Sequence, residues 1–117
     1  MRIDWADYLR VHAERRNLLM HLIAVPLFVG SFASSLICFA RGETSSAVIA
    51  LVLAFAAMAI QGRGHALEPE SPRPFASPLD FLRRWFTEQF YIFPVFLLSG
   101  RWWQQLSSDN DGPGDAA

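Results

Sequence analysis

The sequence predicts an all-α protein: a polytopic membrane helical bundle made of an N-terminal amphipathic helix, a transmembrane hairpin and a long, Pro-kinked C-terminal helix. Three observations lead there. Residues 18–40 and 44–62 carry no charge, and only Arg41, Gly42 and Glu43 separate them. Apolar residues make up 52% of the chain and charged residues only 18%, against about a quarter charged in an ordinary soluble domain. Small residues, among them Gly30, Ser31, Ala33, Ser34 and Ser35, then Ala50, Ala54, Ala56, Ala57 and Ala59, recur along both runs. They permit the close backbone approach on which membrane helix pairs rely. A buried hairpin in a soluble bundle fits less well, because a small bundle needs polar outer faces on its helices.

At 117 residues there is room for one domain, placed at 1–106. Ten Phe and four Trp exclude a disordered chain. The net charge of −1 offers no basic surface for a nucleic-acid backbone. Cys38 is the lone cysteine, so a disulfide-stapled secreted fold is excluded.

The first element is an amphipathic helix over about 4–16. Trp5, Tyr8, Leu9 and His12 share one face, while Asp7, Arg10, Glu14 and Arg15 are polar, which suits a helix lying on a membrane surface. It is too long, acidic and aromatic for a signal-peptide n-region. The spans follow at 17–40 and 44–66, each exceeding the ~30 Å hydrocarbon thickness at about 1.5 Å per residue. A third helix is predicted over 78–99: Ser77 is the N-cap, Pro78 takes the first helical position, Asp80 lies in the first turn, and Gly100 is the stop. Pro94 predicts a kink. This helix either spans obliquely or lies in the interface, where Trp85, Tyr91, Trp102 and Trp103 suit headgroup depth. Residues 107–117 read as a disordered tail.

Arginine placement orients the hairpin. Arg2, Arg10, Arg15 and Arg16 precede the first span, and Arg63, Arg73, Arg83 and Arg84 follow the second, while the connecting turn holds only Arg41. The positive-inside tendency puts both ends of the hairpin on the cytoplasmic side of an inner membrane.

The same hairpin gathers the chemistry. His12 precedes the first span, His21 lies a turn into it, and His65 follows the second. Asn17 and His21 are four apart, and Gln61, His65 and Glu68 run at spacings of four and three, so each set shares a helix face. Polar side chains at membrane depth are costly and usually mark a function. Imidazoles with a carboxylate suit Fe(II), Zn or Mn, with His12, His21 and His65 as ligands, Glu68 or Glu88 as the acid, and Asn17 and Gln61 orienting the ligands from behind. One geometric objection stands: nine steps of about 100° put His12 and His21 on opposite faces of a continuous helix. Both can ligate only if the chain bends near Arg16 and Asn17, where there is no Gly or Pro. Glu88 has two readings, a local ion pair with Arg84 or a ligand or base at the shared face. Arg63 and Arg84 are candidates for binding a substrate carboxylate, beside a role as orientation or lipid-phosphate contacts.

The pattern His12-x4-Asn17-x3-His21-x4-Pro26, followed by Gln61-x2-Gly64-His65-x2-Glu68, resembles the DUF962 or Mpo1-like membrane proteins, over most of the chain. The resemblance implies an all-helical membrane protein and an Fe(II)-dependent dioxygenase of fatty-acid α-oxidation, which shortens a 2-hydroxy fatty acid by one carbon with loss of CO2. It also implies that His12, His21 and His65 are the essential histidines. Glu68 follows the Gly-His pair by three residues where the family pattern has four, and the 68–75 segment with Glu88-Gln89-Phe90 suggests a divergent bacterial branch. The expected partners are the bilayer, a lipid or fatty-acid substrate and O2, with the head group at the metal and the tail in hydrocarbon. A homo-oligomer is left open. Two other classes compete: a haem- or metal-binding membrane protein without oxygenase activity, and a non-catalytic membrane scaffold.

Overall fold

The computed structural model describes residues 2–110. Helix α1 (Trp5–Arg10) starts at Asp4, whose carboxylate accepts a hydrogen bond from the Asp7 amide at 3.1 Å and so satisfies an orphan donor of the first turn. It ends at Arg10, well before the expected 16. The chain then turns through 11–14, and Glu14 caps helix α2 (Arg15–Ala40). Nor is α1 confined to a membrane surface, because Tyr8 on its inner face is buried in the bundle core.

Helices α2 and α3 (Thr44–Ala66) form the expected hairpin. Their 26 and 23 residues correspond to about 39 and 34 Å, enough to cross a membrane. Gly42 makes the turn with φ +74°. The Glu43 amide reaches back to the Cys38 carbonyl at 2.8 Å and the Gly42 amide to the Phe39 carbonyl at 3.1 Å, a Schellman closure in which glycine avoids the left-handed penalty.

Along α3 the buried residues are Ala47, Ala50, Ala54, Ala57, Gln61 and Gly64, at alternating spacings of three and four. This small stripe lets α2 come close. Ser31 and Ser35 on α2 donate to the Leu27 and Phe32 carbonyls at 2.6 and 2.7 Å, so their buried hydroxyls are satisfied. The outer faces carry Ile23, Leu36, Ile37, Ile49, Val52 and Phe55, all exposed. An apolar surface of this extent needs a lipid or protein cover.

Helix α4 (Pro78–Thr87) begins with the Ser77 hydroxyl accepting from the Asp80 amide at 3.0 Å. It continues through a π-helical turn (Glu88–Ile92) into α5 (Phe93–Leu98). Pro94 lacks an N–H and its ring crowds the carbonyl four residues back. The wider turn just before it accommodates both defects. Gly100, at φ +86°, ends this run and reverses the chain into helix α6 (Arg101–Asn110). That helix corrects the expected tail: residues 107–110 are helical, and Trp102 is buried in the core. The rest of the expected tail lies outside the described residues.

Two clusters hold the bundle. Tyr8, Leu18, Val25, Phe93, Phe96, Trp102 and Leu106 tie α1, α2, α5 and α6 together near the open end of the hairpin. Ala24, Phe28, Ala54 and Ala57 pack within the hairpin, with Trp85 and Phe86 of α4 against them.

Candidate metal centre

The break at 11–14 answers the objection that His12 and His21 face opposite ways. With no Gly or Pro available, side chains from distant elements hold the bend. The Glu68 carboxylate, just past α3, accepts from the Ala13 amide at 2.9 Å through Oε1. It also accepts from the Glu14 amide at 3.0 and 3.1 Å through both oxygens. Its Oε2 accepts from Asn17 Nδ2 at 2.6 Å. A carboxylate at the start of α2 is also favoured by the helix dipole. Gly64 makes room for this knot: a Cβ there would stand 2.1 Å from Asn17 Oδ1 and 3.5 Å from Asn17 Cα.

The three imidazoles then meet. Ring centroids are 5.2 Å apart for His12 and His21, 4.7 Å for His12 and His65, and 4.9 Å for His21 and His65, with interplanar angles of 82°, 79° and 86°. One ring nitrogen from each lies within 4.8 Å of the others. His12 and His21 are only 4% and 1% exposed.

Two of the rings are anchored by their other nitrogen. His12 Nδ1 bonds the Tyr8 carbonyl at 2.8 Å and His21 Nδ1 the Asn17 carbonyl at 3.1 Å, while the Val11 main chain lies near His65. A backbone carbonyl can only accept, so each anchoring nitrogen carries the proton. His12 Nε2, His21 Nε2 and His65 Nδ1 are left buried without a partner. Unpaired buried polar atoms cost about 1–3 kcal/mol each. Three unpartnered ring nitrogens, two of them on rings fixed in tautomer by backbone carbonyls, form a donor set that fits a transition-metal ion. Burial first, then the neighbouring His21 and His65, hold His12 well below its ordinary pKa of 6.5, which keeps it in the neutral, ligating form.

Glu88, in the π turn, lies beside this cluster. Its Oε1 is 3.7 Å from His12 Nε2 and accepts from the Tyr8 hydroxyl at 2.9 Å. Burial pushes its pKa up to about 7, against the lowering effect of the Tyr8 hydrogen bond. Burial, with the Glu88 charge adding to it, holds Tyr8 well above 10, so Tyr8 stays a donor. Its ring also stacks on His12, 3.9 Å between centroids at 15°.

The expected Arg84–Glu88 pair is replaced by other partners. Arg84 donates to the Arg73 and Pro74 carbonyls at 2.8 and 3.2 Å, reaches Asp80 at 3.5 Å and lies 4.3 Å over Phe75. It fastens the 67–77 loop. Arg63 is exposed on α3. Gln61 does not stand alone: it exchanges two hydrogen bonds with Gln89, each 2.8 Å, joining α3 to the π turn one helical turn from His65.

Gln89, Tyr8 and the whole of α6 entered the sequence reading without a site role. Gln89 carried a signal, since an uncharged amide among Phe, Tyr and Ile needs a buried partner, and Gln61 had the same need. Tyr8 looked like one more aromatic on an amphipathic face.

An all-helical chain with two membrane-length helices and three converging histidines at one end of their hairpin defines the class: a small helical protein with a metal-competent site and a membrane-length core. More particularly, the chain belongs to the family described as 2-hydroxy-palmitic acid dioxygenase Mpo1-like, whose profile matches residues 1–93. The match takes in all three histidines, Glu68 and Glu88, and stops short of α6. Searches of curated proteins and of solved structures give no match.

Proposed function

We propose that His12, His21 and His65 hold Fe(II) and that the protein is a membrane dioxygenase acting on a 2-hydroxy fatty acid or related lipid. The observation that carries this reading is the donor set: three buried ring nitrogens, each unpartnered, two of them on imidazoles whose other nitrogen is tied to the backbone. Family membership supports the choice of substrate class.

Bound Fe(II) with open positions would supply oxygen activation and a Lewis-acid seat for an α-hydroxy acid head group. The remaining roles belong to the chain. Glu88 Oε1 can take and return a proton beside the cluster, and its raised pKa suits that near neutral pH. Tyr8 keeps that carboxylate aimed by donating to Oε1. Phe93, whose ring centroid is 6.0 Å from that of His21, helps keep water away. Glu68, fully occupied with the bend and Asn17, acts as a positioning residue, and the Gln61–Gln89 pair fixes α3 against the π turn. Arg84 is engaged with the 67–77 loop, which leaves Arg63 as the candidate for a substrate carboxylate.

The site lies at the arginine-rich end of the hairpin, and the positive-inside tendency supports reading that end as cytoplasmic. At that depth a fatty acid can present its head to the cluster with its tail among lipid. Haem suits the cluster poorly, because His21 and His65 pack edge to face at 4.9 Å and leave no slot for a macrocycle. The test is consumption of 2-hydroxypalmitate and O2 by detergent-purified protein with and without Fe(II). Iron-dependent loss that disappears in His65→Ala is expected, and turnover surviving that substitution would overturn the assignment.

A further inference from the structure

Helix α6 lies beyond the family-matched residues, yet it grips the segment that carries His12. Gln105 Nε2 donates to the Leu9 carbonyl at 3.0 Å and to the His12 carbonyl at 3.1 Å. Trp102 Nε1 donates to the Leu18 carbonyl at 3.1 Å, and Leu106 sits in the same core as Tyr8 and Leu18. The Gln105 contacts fall where α1 ends, and Trp102 adds one to α2. The bend is therefore held from two sides. Glu68 takes the Ala13 and Glu14 amides, and Gln105 donates to the Leu9 and His12 carbonyls.

We propose that Gln105 is a positioning residue of the metal centre and that α6 is a working part of the site, not an appendage. The inference rests on the metal reading above. The Gln105 carboxamide fixes the His12 main chain, and His12 swings its free Nε2 toward His21 and His65 only from that main-chain position. Without the donor, the His12 carbonyl would have to turn toward water and the imidazole would move with it, while the Leu9 carbonyl keeps the Val11 and His12 amides. The neighbouring Gln104 is exposed and serves as a control.

Co(II) is the probe, titrated into full-length protein in detergent and followed by its d–d absorption, in parallel with melting of the metal-free protein. Gln105→Met keeps length and apolar fit but has no donor. It is expected to weaken Co(II) binding by about tenfold, the lower end for loss of a ligand-orienting partner, and to alter the band. Gln105→Lys restores a donor and should recover most of that loss, while Gln104→Met should match wild type. Phe28→Ala, in the hairpin core away from α6, is expected to lower the melting temperature and leave affinity and band unchanged, which separates positioning from general stability. If Gln105→Met does not fold, Gln105→Glu, equal in shape and without a donor when ionised, reads the same quantity. Wild-type affinity and spectrum in either donor-free variant would overturn the proposal while leaving the metal reading intact. A wild-type protein that binds no Co(II) would overturn both.

Discussion

Gly64 illustrates how narrowly single residues constrain this site. Its missing side chain is the space occupied by the Asn17 carboxamide, which Glu68 holds from the other side at 2.6 Å. Gly64→Ala drives a methyl group into that amide, and the Asn17 main chain on α2 cannot retreat without moving His21. The expected cost is about 1–3 kcal/mol, read as a lower denaturation midpoint of the metal-free protein together with weaker metal binding. The Gln61–Gln89 pair makes a second prediction at this scale. Gln61→Leu strands a buried amide on Gln89 and should cost about 1–3 kcal/mol. The double variant Gln61→Leu/Gln89→Leu should be less destabilised than the sum of the two singles, because neither amide is then left unsatisfied. Additive losses would show that the two amides are not coupled.

Among the elements, α3 separates what the sequence revealed from what it concealed. Charge-free runs, arginine placement and the Ser77-Pro78 start are local properties, so both spans and the start of the third helix were legible. The bend at 11–14 was not. Its cause is a carboxylate more than fifty residues away and an amide on α6, so the signal is long-range and no local breaker marks it. Sequence periodicity placed the histidines near one membrane face but could not join His12 to His21. Helix α6 was hidden for a related reason: its polar, low-complexity continuation resembles a tail, while Trp102 and Leu106 bury themselves only once α1 and α2 supply the other wall. At this scale the small stripe of α3 is the testable feature. Ala57→Leu, at a fully buried position packed toward Phe28, should force the hairpin apart and cost about 1–3 kcal/mol. Ala56→Leu, one residue earlier and exposed, should be tolerated. Equal effects would mean that this face of α3 does not meet α2.

For the whole molecule, the fold works as a means of bringing distant imidazoles together. A hairpin of two membrane-length helices returns His65 to the level of His21, a broken N-terminal helix brings His12 over the top, and the C-terminal segments close the core around them. Glu88 arrives with that closure and meets Tyr8 of α1, which explains why this partly buried carboxylate belongs to the third helix and not to the hairpin. The central claim is that the three unpartnered nitrogens are a metal site. Metal analysis of anaerobically purified protein, after incubation with Fe(II) and removal of loosely held ions, tests it most directly. About one equivalent per wild-type chain, falling to background in each of His12→Ala, His21→Ala and His65→Ala while the helical circular-dichroism signal persists, is the predicted result. Wild-type protein that retains no metal, or histidine variants that retain as much as wild type, would contradict it.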